Sequence, residues 1–288
     1  MTSLDVPDLG SRHLVAHVAD RVLHVRVDRV EKRNAFTQDM YRGLKRAAIW
    51  ADRQPELDAV CLTGTGEWFG VGGDLGGHAE DPDGLAAEWD GTDHFPFRHI
   101  ERCRKLWVAK INGTCIAGGL DLAMHCDVTV ASDRARFRVP ELLRGLPDPH
   151  MSARLVDVVG LARARFLFFT AVEIDARRAE AMGLVGEVVP HDELDARTAW
   201  ILEQIRSTGP IARATIKRDL NAQLRPGDVS LFMVPGLSAE IAEGMGAFIE
   251  KRVADLHDLH ETRYSDAALS CNTFATVARG SEPSNASA

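Results

Sequence analysis

The chain contains no run of 18 apolar residues, no paired-cysteine spacing and no surplus of basic charge. The first absence excludes a membrane-spanning helix of ordinary length. Its 34 Lys and Arg residues face 42 Asp and Glu, for a net charge of −8. That balance excludes a protein that coats nucleic acid through a basic face. The five cysteines, Cys61, Cys103, Cys115, Cys126 and Cys271, are odd in number and scattered. Cys61, Cys115 and Cys126 fall in apolar runs, where a free thiol behaves as a small core residue, and this fits a reducing compartment. The first residues, MTSLDVPDLGSRH, lack the basic-then-apolar pattern of a secretory signal, so a cytoplasmic protein is expected. No internal repeat and no metal signature is present: His17 and His24 sit in β-rich runs, and His257 and His260 have no third ligand nearby.

With 45% apolar residues in 288, the chain can bury a sizeable core as one domain, or as one domain with a helical appendage. Residues 1–12 read as a loose leader. Two β-rich runs, 14–18 and 22–27, flank Ala19-Asp20-Arg21 and predict a hairpin. Met40, Leu44, Ala47 and Ala48 then recur at helical spacing after Thr37, a plausible N-cap. A strand over 59–63 leads into the Gly-rich turn FGVGGDL, residues 69–75. Residues 76–93 are rich in Gly and acid and read as a mobile loop. A helix around 94–105, a strand over 106–111, a further helix and a strand over 128–131 follow. Such strand-then-helix repetition implies parallel strands with right-handed crossovers. Beyond about residue 200 the pattern is helical only, and 264–288 read as a frayed tail.

The most informative stretch runs from Ile111 to Glu141. Gly118-Gly119 open a predicted helix, Asp121 lies in its first turn, and Glu141 follows twenty residues later. A glycine pair lets backbone N–H groups approach a ligand, and a helix N-terminus aims those donors at an oxygen. That is the physics of an oxyanion hole, and two carboxylates facing it would supply general acid and base. Taken singly, the glycines also fit a tight turn, Asp121 a helix-end charge and Glu141 a solvated loop acid.

Six ordered segments strengthen the functional reading: DRVEKRNAF (28–36), FGVGGDL (69–75), NGTCIAGGLDLAMHCD (112–127), ARFRVPELLRG (135–145), AVEIDARRAEAMGLVGEVVP (171–190) and EGMGAFIEKR (243–252). In order and spacing they resemble the crotonase superfamily, the enoyl-CoA hydratase/isomerase family, over roughly residues 14–255. The resemblance implies an α/β fold, a crotonase-like spiral of ββα units over 13–198. A helical trimerisation region over 199–263 would follow. It also implies an acyl-CoA thioester substrate, no cofactor beyond the coenzyme A of that substrate, no metal, and assembly as a homotrimer or homohexamer.

By motif position the oxyanion donors would be the amides of Gly73 and Gly118, and the acids Glu141 and Asp121. Lys32, Arg33 and Ala35 would meet the coenzyme A nucleotide, and Val71, Asp74 and Leu75 the pantetheine. Phe248 and Lys251 of the last helix would complete the site in the same or a neighbouring subunit. Two departures bear on the reaction. Family hydratases carry Glu at both acid positions, whereas residue 121 is the shorter Asp; dienoyl-CoA isomerases carry Asp there and add a third acid, close to where Asp148 lies. The Gly-rich turn after the second acid is replaced by Pro147-Asp148-Pro149-His150-Met151, which restricts the backbone and adds bulk. His150 is there to titrate near neutrality, to cap the next helix or to line the acyl pocket. Hydration of a 2-enoyl-CoA is thus the first expectation. Double-bond isomerisation is the second, another crotonase-type reaction such as C–C hydrolysis or decarboxylation the third, and weakly catalytic thioester binding the last.

Overall fold

A computed structural model describes residues 4–74, 95–228, 231 and 237–256. Leu75, the loop expected over 76–93, His257, His260 and the tail expected over 264–288 lie outside the described residues. The chain opens with strands β1 (Leu14–Ala19) and β2 (Val22–Val27), the expected hairpin, paired antiparallel. Helix α1 (Gln38–Asp52) follows extended Thr37 and buries Met40, Leu44, Ala47, Ala48 and Ala51, the stripe that the spacing predicts. Next come β3 (Ala59–Gly64), β4 (Trp68–Gly70), α2 (Phe97–Arg102), β5 (Leu106–Ile111), β6 (Thr114–Ile116) and α3 (Gly118–Met124). They are followed by β7 (Val128–Ser132), β8 (Arg136–Arg138), α4 (Pro149–Val159), α5 (Leu161–Thr170), β9 (Ile174–Asp175), α6 (Ala176–Met182) and β10 (Glu187–Val189). Helices α7 (Leu194–Arg206), α8 (Pro210–Asn221) and α9 (Leu237–Glu250) close the described chain.

The strands sort into two sheets, ordered β1-β2-β3-β5-β7-β10 and β4-β6-β8-β9. From β3 to β8 each successive unit lays one strand on the first sheet and the next on the second, then crosses back by a helix. From β2 to β10 the first sheet is parallel throughout. This is the expected ββα spiral. Its inner strands β3 and β5 are buried on both faces, so they read as nearly unbroken apolar runs rather than alternating ones. The core between sheets and helices is centred on Trp107, Phe36, Phe69 and Phe137.

Three expectations change. Residues 4–12 form no helix or strand, but Leu9 is buried and its carbonyl accepts from Arg46 Nη1 at 2.8 Å. The supposed leader is held against α1, because the small Gly43 leaves room for its backbone there. The boundary placed at 198/199 falls inside α7, which packs on β3, β5 and β7 and so belongs with the sheet. The last helix, which the sequence pattern carries from Ser238 to about His260, stops at Glu250, where Lys251 enters the left-handed region.

Candidate active site

Three turns meet at the N-terminus of α3. The first, residues 28–36, is organised by Asn34, which is buried in the left-handed region. Its Nδ2 donates to the carbonyls of Thr65 (3.0 Å) and Trp68 (2.6 Å), and its Oδ1 accepts from Arg29 N (3.0 Å). The second turn, after β4, is stitched to the first: Phe36 N donates to Gly72 O and Asp74 N to Phe36 O, both at 2.8 Å. The third is the start of α3 itself. Gly72, at φ +92°, has to be glycine on two counts: a Cβ there would lie 2.6 Å from Ala117 Cβ and 3.2 Å from Gly118 N. Ala117 also takes a positive φ, 52°, an uncommon conformation for a residue with a side chain. The Gly-rich turn and the α3 N-terminus are thus in van der Waals contact, with Gly73 beside Gly72 and open space where its Cβ would be. Among the described residues no acceptor is in place for the amide of Gly73 or of Gly118.

Around these amides the structure gathers the acids that the sequence singles out. Asp121 is 1% exposed and Glu141 3%, and both Asp121 carboxyl oxygens and Glu141 Oε2 lack a hydrogen-bond partner. Burial raises the pKa of both, and neighbouring charge adds to it. Asp148 and then Glu141 push Asp121 well above the usual carboxylate range, while Asp148 helps push Glu141 up to about 8. At neutral pH this site holds protons that isolated carboxyls would have released. Asp148 itself is the N-cap of α4: its Oδ1 accepts from the amides of His150 and Met151, each at 2.9 Å. It is therefore a structural cap first, with its charge felt by both other acids. His150 is not the cap; its ring packs edge-on against Phe95 and tilted on Phe97, and burial lowers its pKa.

Sequence reasoning missed two partners of this cluster. His125, one turn after Asp121, sets Nδ1 2.7 Å from Asp121 O and 3.4 Å from Asp121 Oδ1. Its Nε2 lies 3.3 Å from Glu101, which Arg154 binds in turn. Burial, reinforced by Arg154, depresses His125 to about 3, so the ring is neutral and its Nδ1–H donates to the Asp121 carbonyl. His125, Glu101 and Arg154 also line a cavity of about 530 Å³ between α3, α4 and α8, so the polar chain behind Asp121 borders that cavity. The second missed residue is Tyr41, whose hydroxyl oxygen reaches Gly118. The i, i+4 spacing of Asp121 and His125 could have flagged the first; no sequence signal points to the second.

The coenzyme A residues divide. Lys32 and Arg33 are exposed, and Ala35 precedes the Phe36 bridge to Gly73, so this basic turn adjoins the Gly-rich turn that carries half-buried Val71. Asp74 differs from expectation: its carboxylate is committed to Arg29 at 2.7 Å, because both side chains are largely buried and each needs the other. Helix α9 packs on the turn Glu141–Arg144, where the Arg144 guanidinium covers the Phe248 ring at 4.6 Å. Phe248 thus braces the Glu141 turn of its own chain, and Lys251 is exposed just past the end of α9.

The enoyl-CoA hydratase/isomerase family model matches residues 18–259. The chain belongs to that family. A probable enoyl-CoA hydratase of Mycobacterium tuberculosis is 33% identical over 242 residues, covering 81% of this chain and 93% of that one. The mevalonyl-coenzyme A hydratase of Aspergillus fumigatus is 32% identical over 252 residues, covering 83% and 92%. Among solved structures, an enoyl-CoA hydratase/isomerase from Pseudoalteromonas atlantica superposes with a TM-score of 0.72 at 30% identity, covering 85% of this chain and 99% of that one. Family membership makes the chain an enzyme of the hydratase/isomerase group, with the spiral as its scaffold. Among the described residues no helix is long and apolar enough to cross a membrane, and no group of three or more His, Cys, Asp or Glu could hold a metal.

Proposed function

We propose that this family member adds water reversibly to a 2-enoyl-CoA thioester. One observation carries the reading: two buried carboxyls with raised pKa, Asp121 and Glu141, flank a pair of uncommitted amides on two touching turns. The amides of Gly73 and Gly118 hold the thioester oxygen and stabilise enolate charge as it develops, commonly worth roughly 3 kcal/mol per donor. Glu141, protonated at rest, gives its proton to Cα; Asp121 orients the water whose oxygen joins Cβ, and the proton that this water gives up is relayed past Asp121 to the Glu141 carboxylate, which restores the resting acid. The coenzyme A nucleotide lies along Lys32, Arg33 and Ala35, and its pantetheine along Val71 and the turn beside it. No cofactor is invoked, since these groups supply both polarisation and proton transfer.

A second reading, isomerisation of a dienoyl- or enoyl-CoA, is favoured by Asp148, whose second carboxyl oxygen takes no part in capping α4. Steady-state assays of crotonyl-CoA hydration and of 3,5-dienoyl-CoA conversion, each repeated on Asp121→Glu and Asp148→Asn, decide between them. Hydration that improves with the longer acid supports the first; dienoyl turnover abolished by Asp148→Asn, without detectable hydration, supports the second. Binding of coenzyme A esters with no turnover of either would overturn both.

A homotrimer or homohexamer is part of the same proposal. Phe169 on α5, Ile211 and Leu220 on α8 and Ile249 on α9 expose apolar surface that a neighbour would cover. A monomeric mass by light scattering would reject it. The four described thiols are unpaired, in keeping with a cytoplasmic setting.

A further inference from the structure

Tyr41 occupies the first turn of α1 and is 4% exposed. Its ring stacks on Phe36 with centroids 5.2 Å apart and meets Phe95 edge-on at 5.1 Å. A phenylalanine would make the same ring contacts. The hydroxyl is therefore the part that the core does not explain. A buried tyrosine hydroxyl usually finds a protein partner. Here none of the described residues accepts a hydrogen bond from it, and the oxygen is aimed at Gly118: a Cβ on that glycine would overlap it. The same point in space lies 3.5 Å from Gly72 Cα. The hydroxyl thus stands at the seam where the two amide-bearing turns touch, beside the amides proposed to receive the thioester oxygen.

The charge around it keeps this group a donor. Burial holds the phenol well above its usual range, and at the alkaline pH where a phenol would titrate the ionised Asp121, Asp148 and Glu141 add to this, so it keeps its proton at any working pH. A protonated hydroxyl on a buried ring, with no acceptor among the described residues and next to two uncommitted amides, is complementary to an oxygen that gains negative charge. We infer that Tyr41 is a catalytic residue whose hydroxyl is a third hydrogen-bond donor to the substrate thioester oxygen. The role rests on the acyl-CoA reading of the site. No covalent step is involved, and the phenol proton stays on its oxygen throughout.

Tyr41→Phe in the full-length protein removes the donor and keeps the ring stack. Two readouts are taken: steady-state hydration of crotonyl-CoA, and the infrared carbonyl band of bound butanoyl-CoA carrying a ¹³C carbonyl. The expected result is a kcat lower by about 10- to 100-fold with KM within about twofold, since the donor acts chiefly on developing charge. The carbonyl band of the variant complex should lie part of the way back toward that of free butanoyl-CoA. A merely structural role would lower thermal stability or raise KM and leave the bound band where wild type has it. Because the chain has only two tyrosines, 3-fluorotyrosine labelling gives an independent check on unmutated protein. The ¹⁹F signal absent from Tyr41→Phe should shift when butanoyl-CoA binds. Wild-type polarisation that Tyr41→Phe leaves intact, with unchanged kcat, would overturn the Tyr41 role alone. A wild-type complex whose carbonyl is no more polarised than in water would overturn the acyl-CoA reading and this role with it.

Discussion

Glu141→Gln separates the chemical role of Glu141 from its structural cost in one variant. Burial and the charge of Asp148 push the folded-state pKa of Glu141 from 4.5 up to about 8. Below pH 4.5 the residue is protonated whether the chain is folded or not, and it costs nothing. Above that, the unfolded chain releases the proton freely while the folded one retains it. Stability therefore falls by about 1.4 kcal/mol for each pH unit until the folded group titrates near pH 8. Between pH 6 and pH 8 the loss amounts to about 2 kcal/mol, since the last part of that interval already lies on the folded titration. Glutamine keeps the shape and titrates nowhere, so the variant should gain on wild type by that amount across the interval. Urea denaturation of both proteins at pH 6, 7 and 8 measures the difference, and steady-state assays at the same pH values should show kcat lower by roughly 10²- to 10⁴-fold. A stability difference that stays flat with pH would mean Glu141 titrates like an exposed acid, and its role as a resting proton donor would fall.

Further outcomes follow from the same geometry. Wild-type kcat/KM should decline as pH rises through about 8, where Glu141 loses its proton; a rate that climbs through that range would assign the essential form to the carboxylate. Asp148→Asn keeps a good cap for α4 and removes the charge that raises Glu141, so stability should hold and the alkaline limb should move to lower pH; an unmoved limb would show that Asp148 is uncharged or too distant to matter. Gly118→Ala should destabilise by about 1–3 kcal/mol, because its Cβ overlaps the Tyr41 hydroxyl, and the penalty should shrink in a Tyr41→Phe background; strict additivity in calorimetry would contradict the contact. Ala117→Gly relieves a positive φ whose cost is about 1–3 kcal/mol, less the extra freedom glycine has when unfolded, so the melting temperature should rise. A lower melting temperature would show that the Ala117 methyl matters more than its strain.

The ββα order, the hairpin at the start, the buried stripe of α1 and the approach of Gly118, Asp121 and Glu141 to one place were all legible in the residues. Each rests on a local signal: apolar runs without polar alternation for the doubly buried strands β3 and β5, helical spacing after Thr37, glycines where backbones must touch. The close packing of Gly72 on Ala117 shows why such a motif is readable at all, since a position with no room for a Cβ leaves its mark as a glycine. Other features depend on contacts between segments far apart in the chain, and no local pattern encodes them. Leu9 has to meet Arg46 before residues 4–12 cease to be a leader. Asp74 looks free to bind a ligand until Arg29 lies across it, and Asp148 looks like a third acid until its turn closes on the amides of His150 and Met151. Tyr41 is silent in the sequence because a tyrosine in an apolar helical stripe is ordinary core. Only the fold sets its hydroxyl against Gly118, 77 positions further along, in a site where Asp121 and Glu141 are too deeply buried to lose their protons easily.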